Sequence, residues 1–361
     1  MSEPPAPALE PPYGARDRQG MAALVDALPD QIEAALARSD AQAWGPPARE
    51  PSLLALGGMG GSAIAGELTA AAVADTAPRP FLVARDYRWP ACVDRTALAV
   101  LSSHSGNTEE TLSLAAEAQA RALPCMAMTS GGALAAMAHE RGWPLHRLPG
   151  GMPPRTALFH GWVPLTGLVH RLGWSPDPAP AWREAAALLK RRRGEVGTGN
   201  PEAANPAKRL ARSLAGRTLF LYSGPGGPAA VATRWRQQLN ENAKVLAHSA
   251  VVPEHNHNEI VGWQVQGPIL RSIAVLVLRD GEDSDAAKAR LDLTAEYAAR
   301  QGAAVHEIRS QGESRLARLA SLVQFGDSLS LYLALLGGVD PTDIASIDEF
   351  KRRLAARASA R

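Results

Sequence analysis

The stretch Leu98-Ala-Val-Leu-Ser-Ser-His-Ser-Gly-Asn-Thr-Glu-Glu-Thr111 decides the fold. Its apolar run ends at Leu101, then come the hydroxyls of Ser102, Ser103 and Ser105 and the turn pair Gly106-Asn107. Thr108 precedes an Ala-, Leu- and Glu-rich segment whose pattern predicts helix as far as Ala122. A strand that turns through hydroxyls and glycine into a helix leaves backbone N–H groups without intrahelical partners. Together with the hydroxyls and the positive end of the helix dipole, those donors suit a phosphate monoester. Taken alone, the stretch is equally well explained as an ordinary N-cap by Thr108 or Ser105.

A second loop of the same build stands upstream. The short strand 52–56 runs into Gly57-Gly-Met-Gly-Gly-Ser62, which opens an alanine-rich helix. The glycines are too dense for a dinucleotide fingerprint, no acid ends the next strand, and the Lys-Ser/Thr pair of a P-loop is absent. They let backbone approach a ligand closely, with Ser62 facing it. Close helix–sheet packing asks for small residues as well. In a parallel sheet both loops follow strand C-terminal ends and converge on one crevice. Two such loops without a nucleotide signature point to a small phosphorylated metabolite.

Working outward, strands at 80–84, 96–101, 124–128 and 144–148 alternate with helices, which predicts a parallel sheet covered on both faces. The alternation restarts with a strand at 217–222, the turn Ser223-Gly-Pro-Gly-Gly-Pro228 and a helix at 229–241. Strands at 272–278 and 304–308, a helix at 285–300, one long or two broken helices at 314–336, and a last helix at 346–358 follow. The class is α/β with two similar domains. The expected division is a flexible lead-in at 1–20, an N-terminal domain at 21–155, connecting helices and linker at 156–206, and a C-terminal domain at 207–361. Within the connection, Lys190-Arg-Arg-Arg193 reads as a solvated helix face rather than a nucleic-acid patch, being short and isolated.

At 361 residues the chain can bury two cores, and 46% hydrophobic with 20% charged residues is the balance of a globular protein. A net charge of +2 argues against nucleic acid or membrane as a general partner. Cys92 and Cys125 fit neither a disulfide framework nor a zinc motif, so a reducing cytoplasm is expected. The start shows no signal-peptide pattern, and no apolar run is expected to reach the length of a membrane helix.

Polar chemistry concentrates in a second stretch, Gln238-Leu-Asn-Glu-Asn-Ala-Lys244, followed by Pro253-Glu-His-Asn-His-Asn-Glu-Ile-Val-Gly-Trp263. His255 and His257 lie two apart, which is no helical zinc spacing, and no third ligand stands at a diagnostic interval. A hydrogen-bonded polar loop is one reading. The functional one is a carboxylate base, Glu241, and a histidine acid or base placed over a phosphate-anchored sugar. Moving a proton between adjacent carbons needs a base above both, donors for the developing enediolate and a group that opens the ring. A glutamate serves if apolar surroundings raise its pKa.

These residues together resemble a known family. Gly58-Met-Gly-Gly-Ser-Ala-Ile64, Ser103-His-Ser-Gly-Asn-Thr-Glu-Glu-Thr111, Pro154-Arg155, Glu241-Asn-Ala-Lys244 and His255-Asn-His-Asn-Glu-Ile-Val-Gly262 look like the bifunctional phosphoglucose/phosphomannose isomerases of the sugar isomerase (SIS) superfamily. The likeness runs in order from Leu53 to Lys351; the serine loop is shared by many SIS proteins, the Glu241 to Gly262 block by far fewer. It implies two SIS domains, each a five-stranded parallel sheet flanked by helices on both faces, in a homodimer with composite active sites. It implies Gly61, Ser62, Ser103, Ser105 and Thr108 at the 6-phosphate of a sugar phosphate and Glu241 as the base between C2 and C1. Arg155 would stabilise the enediolate, and His257, supplied by the neighbouring subunit, would assist ring opening. Lys351 matches the family's C-terminal lysine at the same end. The family uses no metal and no organic cofactor. His104 departs from the pattern, standing where a tyrosine or similar residue is expected. Other classes that fit the sequence are a non-catalytic sugar-phosphate regulator, which needs the loops but no base, and another SIS sugar-phosphate isomerase.

Overall fold

Fully apolar runs set between alanine-rich helices satisfy their backbone groups by pairing in parallel and bury both faces of the resulting sheet. The computed structural model describes residues 8–42, 44–45, 47, 49–264 and 267–359. Its first part contains α1 (Met21–Asp26), α2 (Leu28–Ala41), β1 (Leu54–Gly57), α3 (Gly60–Ala72), β2 (Phe81–Ala84) and β3 (Leu98–Ser102). Next come α4 (Glu109–Ala120), β4 (Cys125–Thr129), α5 (Gly132–Arg141) and β5 (Leu145–Arg147). The five strands form one parallel sheet in the order β2-β1-β3-β4-β5. β1, β3 and β4 are buried along their whole length, so the sheet's centre carries the two glycine- and serine-bearing loops.

The chain then runs through α6 (Leu158–Arg171), α7 (Ala179–Val196) and α8 (Pro206–Leu214) into β6 (Thr218–Ser223), α9 (Gly227–Ala243) and β7 (Ala247–Val251). Two single-turn helices, α10 (Glu259–Gly262) and α11 (Pro268–Arg271), lead to β8 (Ile273–Arg279), α12 (Asp285–Arg300), β9 (Ala304–Arg309), α13 (Arg315–Leu336) and α14 (Ala345–Ser359). The second sheet is also parallel, in the order β7-β6-β8-β9. It has four strands among the described residues where the family resemblance implies five, and none of the described residues pairs with the outer edge of β9.

One core of buried side chains joins α2, α3, α6, α7, α9 and α13 and the inner faces of both sheets. The segment around 179–196 is part of it. Far from being an exposed connection, α7 buries Trp182, Ala185, Leu188, Leu189 and Val196. The basic run on it is correspondingly split. Lys190 and Arg193 face outward and pair with Glu33 and Asp30 of α2, whereas Arg192 is buried, against the expectation of a solvated face. Of the lead-in, residues 1–7 lie outside the described part. Leu9 and Tyr13 belong to the core, and Arg16 donates to the carbonyl of Leu335.

The stretch 314–336 is a single helix, and in length and apolarity it does match a membrane span, contrary to expectation. Twenty of its 22 residues are buried inside the molecule, packed against α1, α7, α8 and α9, which makes it a core helix. β7 has no counterpart among the sequence expectations. Only Ala247 of its five residues is buried, so it lacks the apolar run that marks the central strands.

Candidate active site

The two loops meet. A Cβ on Gly58 would lie 2.7 Å from the carbonyl oxygen of Ser102 and 3.2 Å from Cβ of Ser62, so only hydrogen fits where the loops touch. Gly106 has a positive φ of 72°, and a Cβ there would fall 1.8 Å from the Gly131 carbonyl oxygen, which ties the serine loop to the α5 entry. Asn107 completes that tie by accepting from the Ala133 N–H.

Thr108 occupies the N-cap of α4, yet its side chain makes no capping hydrogen bond. Its hydroxyl lies 2.8 Å from that of Ser103 instead. Ser103 Oγ accepts from the Gly106 N–H and Ser105 Oγ from the Asn107 N–H, which shapes the turn. The α4 N-terminus is thus left with no side-chain cap, the condition in which it can receive an anion. Gly61, Ser62, Ser102, His104 and Pro154 line a small space of about 10 Å³ beside the loops. His104 is buried there and its Nε2 lies 3.0 Å from the Pro149 carbonyl; burial pushes its pKa below the ordinary value, with that carbonyl opposing.

Arg155 reaches this point from a short turn before α6. A Cβ on Gly61 would come 3.2 Å from the Pro154 carbonyl oxygen and 3.7 Å from Arg155 Cα, so the first glycine-rich loop abuts the arginine. The guanidinium is buried and every nitrogen is used. Nη1 donates to Glu241 Oε1 at 2.8 Å, Nε to Asn242 Oδ1 at 2.6 Å and Nη2 to the Pro341 carbonyl at 2.6 Å. Burial lowers its pKa and the Glu241 carboxylate opposes that shift. Behind it, Arg234 donates to the Arg155 carbonyl and forms a buried two-point pair with Asp327.

Glu241 stands in the last turn of α9 with its side chain 31% exposed. Its surroundings are not apolar, since a guanidinium is its nearest partner. Lys244, in the left-handed conformation that ends α9, donates to the carbonyls of Glu241, Asn242, Asp340 and Asp343. Asn242 and Lys244 thus hold Arg155 and Glu241 in place, a role that sequence reasoning missed. Their partners at 330 and 340–343 are distant in the chain, and only the Glu241-Asn-Ala-Lys244 grouping hinted at them.

The two histidines separate. His255 is buried, with its ring on Tyr222 at 4.3 Å between centroids and its Nδ1 3.6 Å from Glu259 Oε2. His257 is exposed. β7 runs parallel to β6, so the His257 loop lies at the sheet edge where α9 begins, whereas Glu241 lies where α9 ends. That separation is the fourteen-residue rise from Gly227, about 21 Å. Within one chain His257 is not brought to Glu241. Lys351 lies on α14, an exposed helix that follows the Asp340-Pro341 turn beside Arg155. Among the described residues no three His, Cys, Asp or Glu side chains group so as to hold a metal ion.

Relatives are similar to the chain along nearly its whole length. A bifunctional phosphoglucose/phosphomannose isomerase from Caldicellulosiruptor bescii is 38% identical over 91% of this chain and 97% of its own. The chain belongs to the bifunctional phosphoglucose/phosphomannose isomerase family. A further family member, from Aquifex aeolicus, is 34% identical over 83% of this chain and 90% of its own. Residues 203–354 match the model of the bacterial phospho-glucose isomerase C-terminal SIS domain. The fold is likewise that of a glucose-6-phosphate isomerase-like protein from Thermus thermophilus, with a TM-score of 0.61 at 21% identity, over 93% of this chain and 98% of that one. As a family member the chain is an isomerase.

Proposed function

We propose that the chain interconverts glucose 6-phosphate and mannose 6-phosphate with fructose 6-phosphate, with Glu241 as the base and no metal. One observation carries the reading: the Glu241 carboxylate sits 2.8 Å from the Arg155 guanidinium, and the backbone of that arginine abuts the glycine of a phosphate loop. Gly61, Ser62, Ser103, Ser105 and Thr108 then anchor the 6-phosphate. Glu241 takes the C2 proton, the C–H electron pair becomes the C1=C2 bond, and the former carbonyl oxygen gathers negative charge beside Arg155. Transfer of the O2 hydroxyl proton to O1 moves the charge to O2, and return of the carbon-bound proton to C1 then leaves the carbonyl at C2. Both aldoses pass through one enediolate, so a base that tolerates either C2 configuration serves both.

His257, exposed and a helix length from its own Glu241, fits a role in the site of a second copy, where it and Lys351 assist ring opening. The family relationship and the free thiols Cys92 and Cys125 support a homodimeric cytoplasmic enzyme as the setting.

The test is loss of deuterium from C2-labelled substrate to water, with chelator present. Wild type should release the label, and Glu241→Gln should lower turnover by about two to four orders of magnitude. Label that stays on C2 with wild type, none appearing at C1 or in water, points instead to a sugar-phosphate sensor, and near-normal turnover by the variant removes Glu241 from its role.

A further inference from the structure

The family chemistry leaves Arg192 unexplained. It stands on the buried stripe of α7, in register with Ala185, Leu188, Leu189 and Val196, where an aliphatic side chain would ordinarily sit. Only 4% of it is exposed, and its Nε and Nη1 are sealed from solvent with no acceptor among the described residues. Burial pushes its pKa below the ordinary value, and Glu195 opposes only through space. A buried guanidinium without a counter-ion is costly, and natural structures pair or ligate such groups.

The surroundings suggest what supplies the counter-charge. Arg192 lines a cleft of about 600 Å³ against the unpaired outer edge of β9, at the position a fifth strand would take. His306 of β9 faces the same cleft, and its Nε2 is also sealed and unpartnered. Arg309 and Gln311 add donors at the rim. The acids there are Glu307, already shared between Arg279 and Arg309, and the exposed Glu195. None of these residues belongs to the loops around Ser103 or to the Arg155–Glu241 pair.

We propose that the cleft between α7 and β9 is a second anion site, in which Arg192 and His306 bind a small oxyanion, a phosphate group or a carboxylate. The two unsatisfied side chains come from different elements and converge on one cavity, which neither a packing role nor a solvated basic face accounts for. An oxyanion entering at the rim accepts from the guanidinium and from the imidazole N–H once rotation of the two side chains turns their sealed nitrogens into the cleft.

Crystals of the full-length protein grown in inorganic phosphate, and separately in succinate, would locate the site apart from the serine loop. Calorimetry with the same anions would count the sites. Wild type should show an anion beside Arg192 and bind one more per chain than Arg192→Met, whose turnover should stay at the wild-type level. In buffer free of both anions Arg192→Met should melt no lower than wild type, because the substitution removes an uncompensated charge. If Arg192→Met does not fold, His306→Gln should weaken the second site about tenfold or more. Density for phosphate supports a phosphate group as the ligand, and density for succinate alone supports a carboxylate. Solvent alone beside Arg192 under both conditions, or equal anion stoichiometry in wild type and variant, overturns the proposal.

Discussion

Arg155 concentrates the demands of the site in one side chain. It is buried, donates to three acceptors from distant parts of the chain, and faces the carboxylate assigned as the base. Replacing it with alanine should therefore act twice. Turnover should fall more than phosphate affinity does, because in the proposed mechanism the guanidinium meets the enediolate oxygen rather than the phosphate. Stability should fall as well, by about 3–5 kcal/mol, since Asn242 and the Pro341 carbonyl lose a charged donor. Steady-state kinetics alongside denaturant titration checks both parts; a variant weakened only in binding would move Arg155 to the phosphate anchor. At this scale the motifs in the sequence nominate candidate actors, but not the scaffold that holds them. Asn242, Lys244 and Arg234 have partners between three and nearly a hundred positions away, and no local pattern encodes such pairings.

Among elements, the loop after β7 shows how a histidine is presented. Glu259 accepts from Tyr222 Oη at 2.7 Å, lies 3.1 Å from His248 Nε2, and has His255 beside it. Burial works against its charged form, but the nearby His255 ring and the hydrogen bonds with Tyr222 and His248 prevail and pull its pKa down from 4.5 to about 2. The folded value is depressed, so this stability is full above about pH 4.5 and is lost as pH falls towards 2. Denaturant midpoints followed from pH 6 to pH 3, a range of about three logarithmic steps that brackets the ordinary carboxylate value, should fall more steeply for wild type than for Glu259→Gln. Equal slopes would mean that the carboxylate is not held in this way. The central strands β1, β3, β4 and β8 are legible because burial on both faces writes a continuous apolar run into the chain. β7 is not, since an edge strand with one wetted side carries no such run. Arg192 misleads for the converse reason: four consecutive basic residues on a helix point to different sides, and one of them points inward.

At the scale of the whole molecule, the distance between Glu241 and His257 in one chain makes complementation the decisive measurement. Mixing Glu241→Gln and His257→Ala subunits, each inactive alone, should regenerate one intact site in every mixed dimer. With random pairing about one quarter of wild-type activity should return. No recovery, with mixed dimers verified by mass, would leave His257 outside the site.

α13 has a consequence for how the gene can be divided. Twenty of its 22 residues are hidden from water, and helices from both halves of the chain do the hiding. A C-terminal piece beginning near Pro206 would carry a greasy rod stripped of α1 and α7, and should precipitate or bind chaperones when made by itself. Melting of the intact chain should accordingly trace one sharp transition, and a split reporter built on this scaffold would need both fragments made in the same cell at the same time.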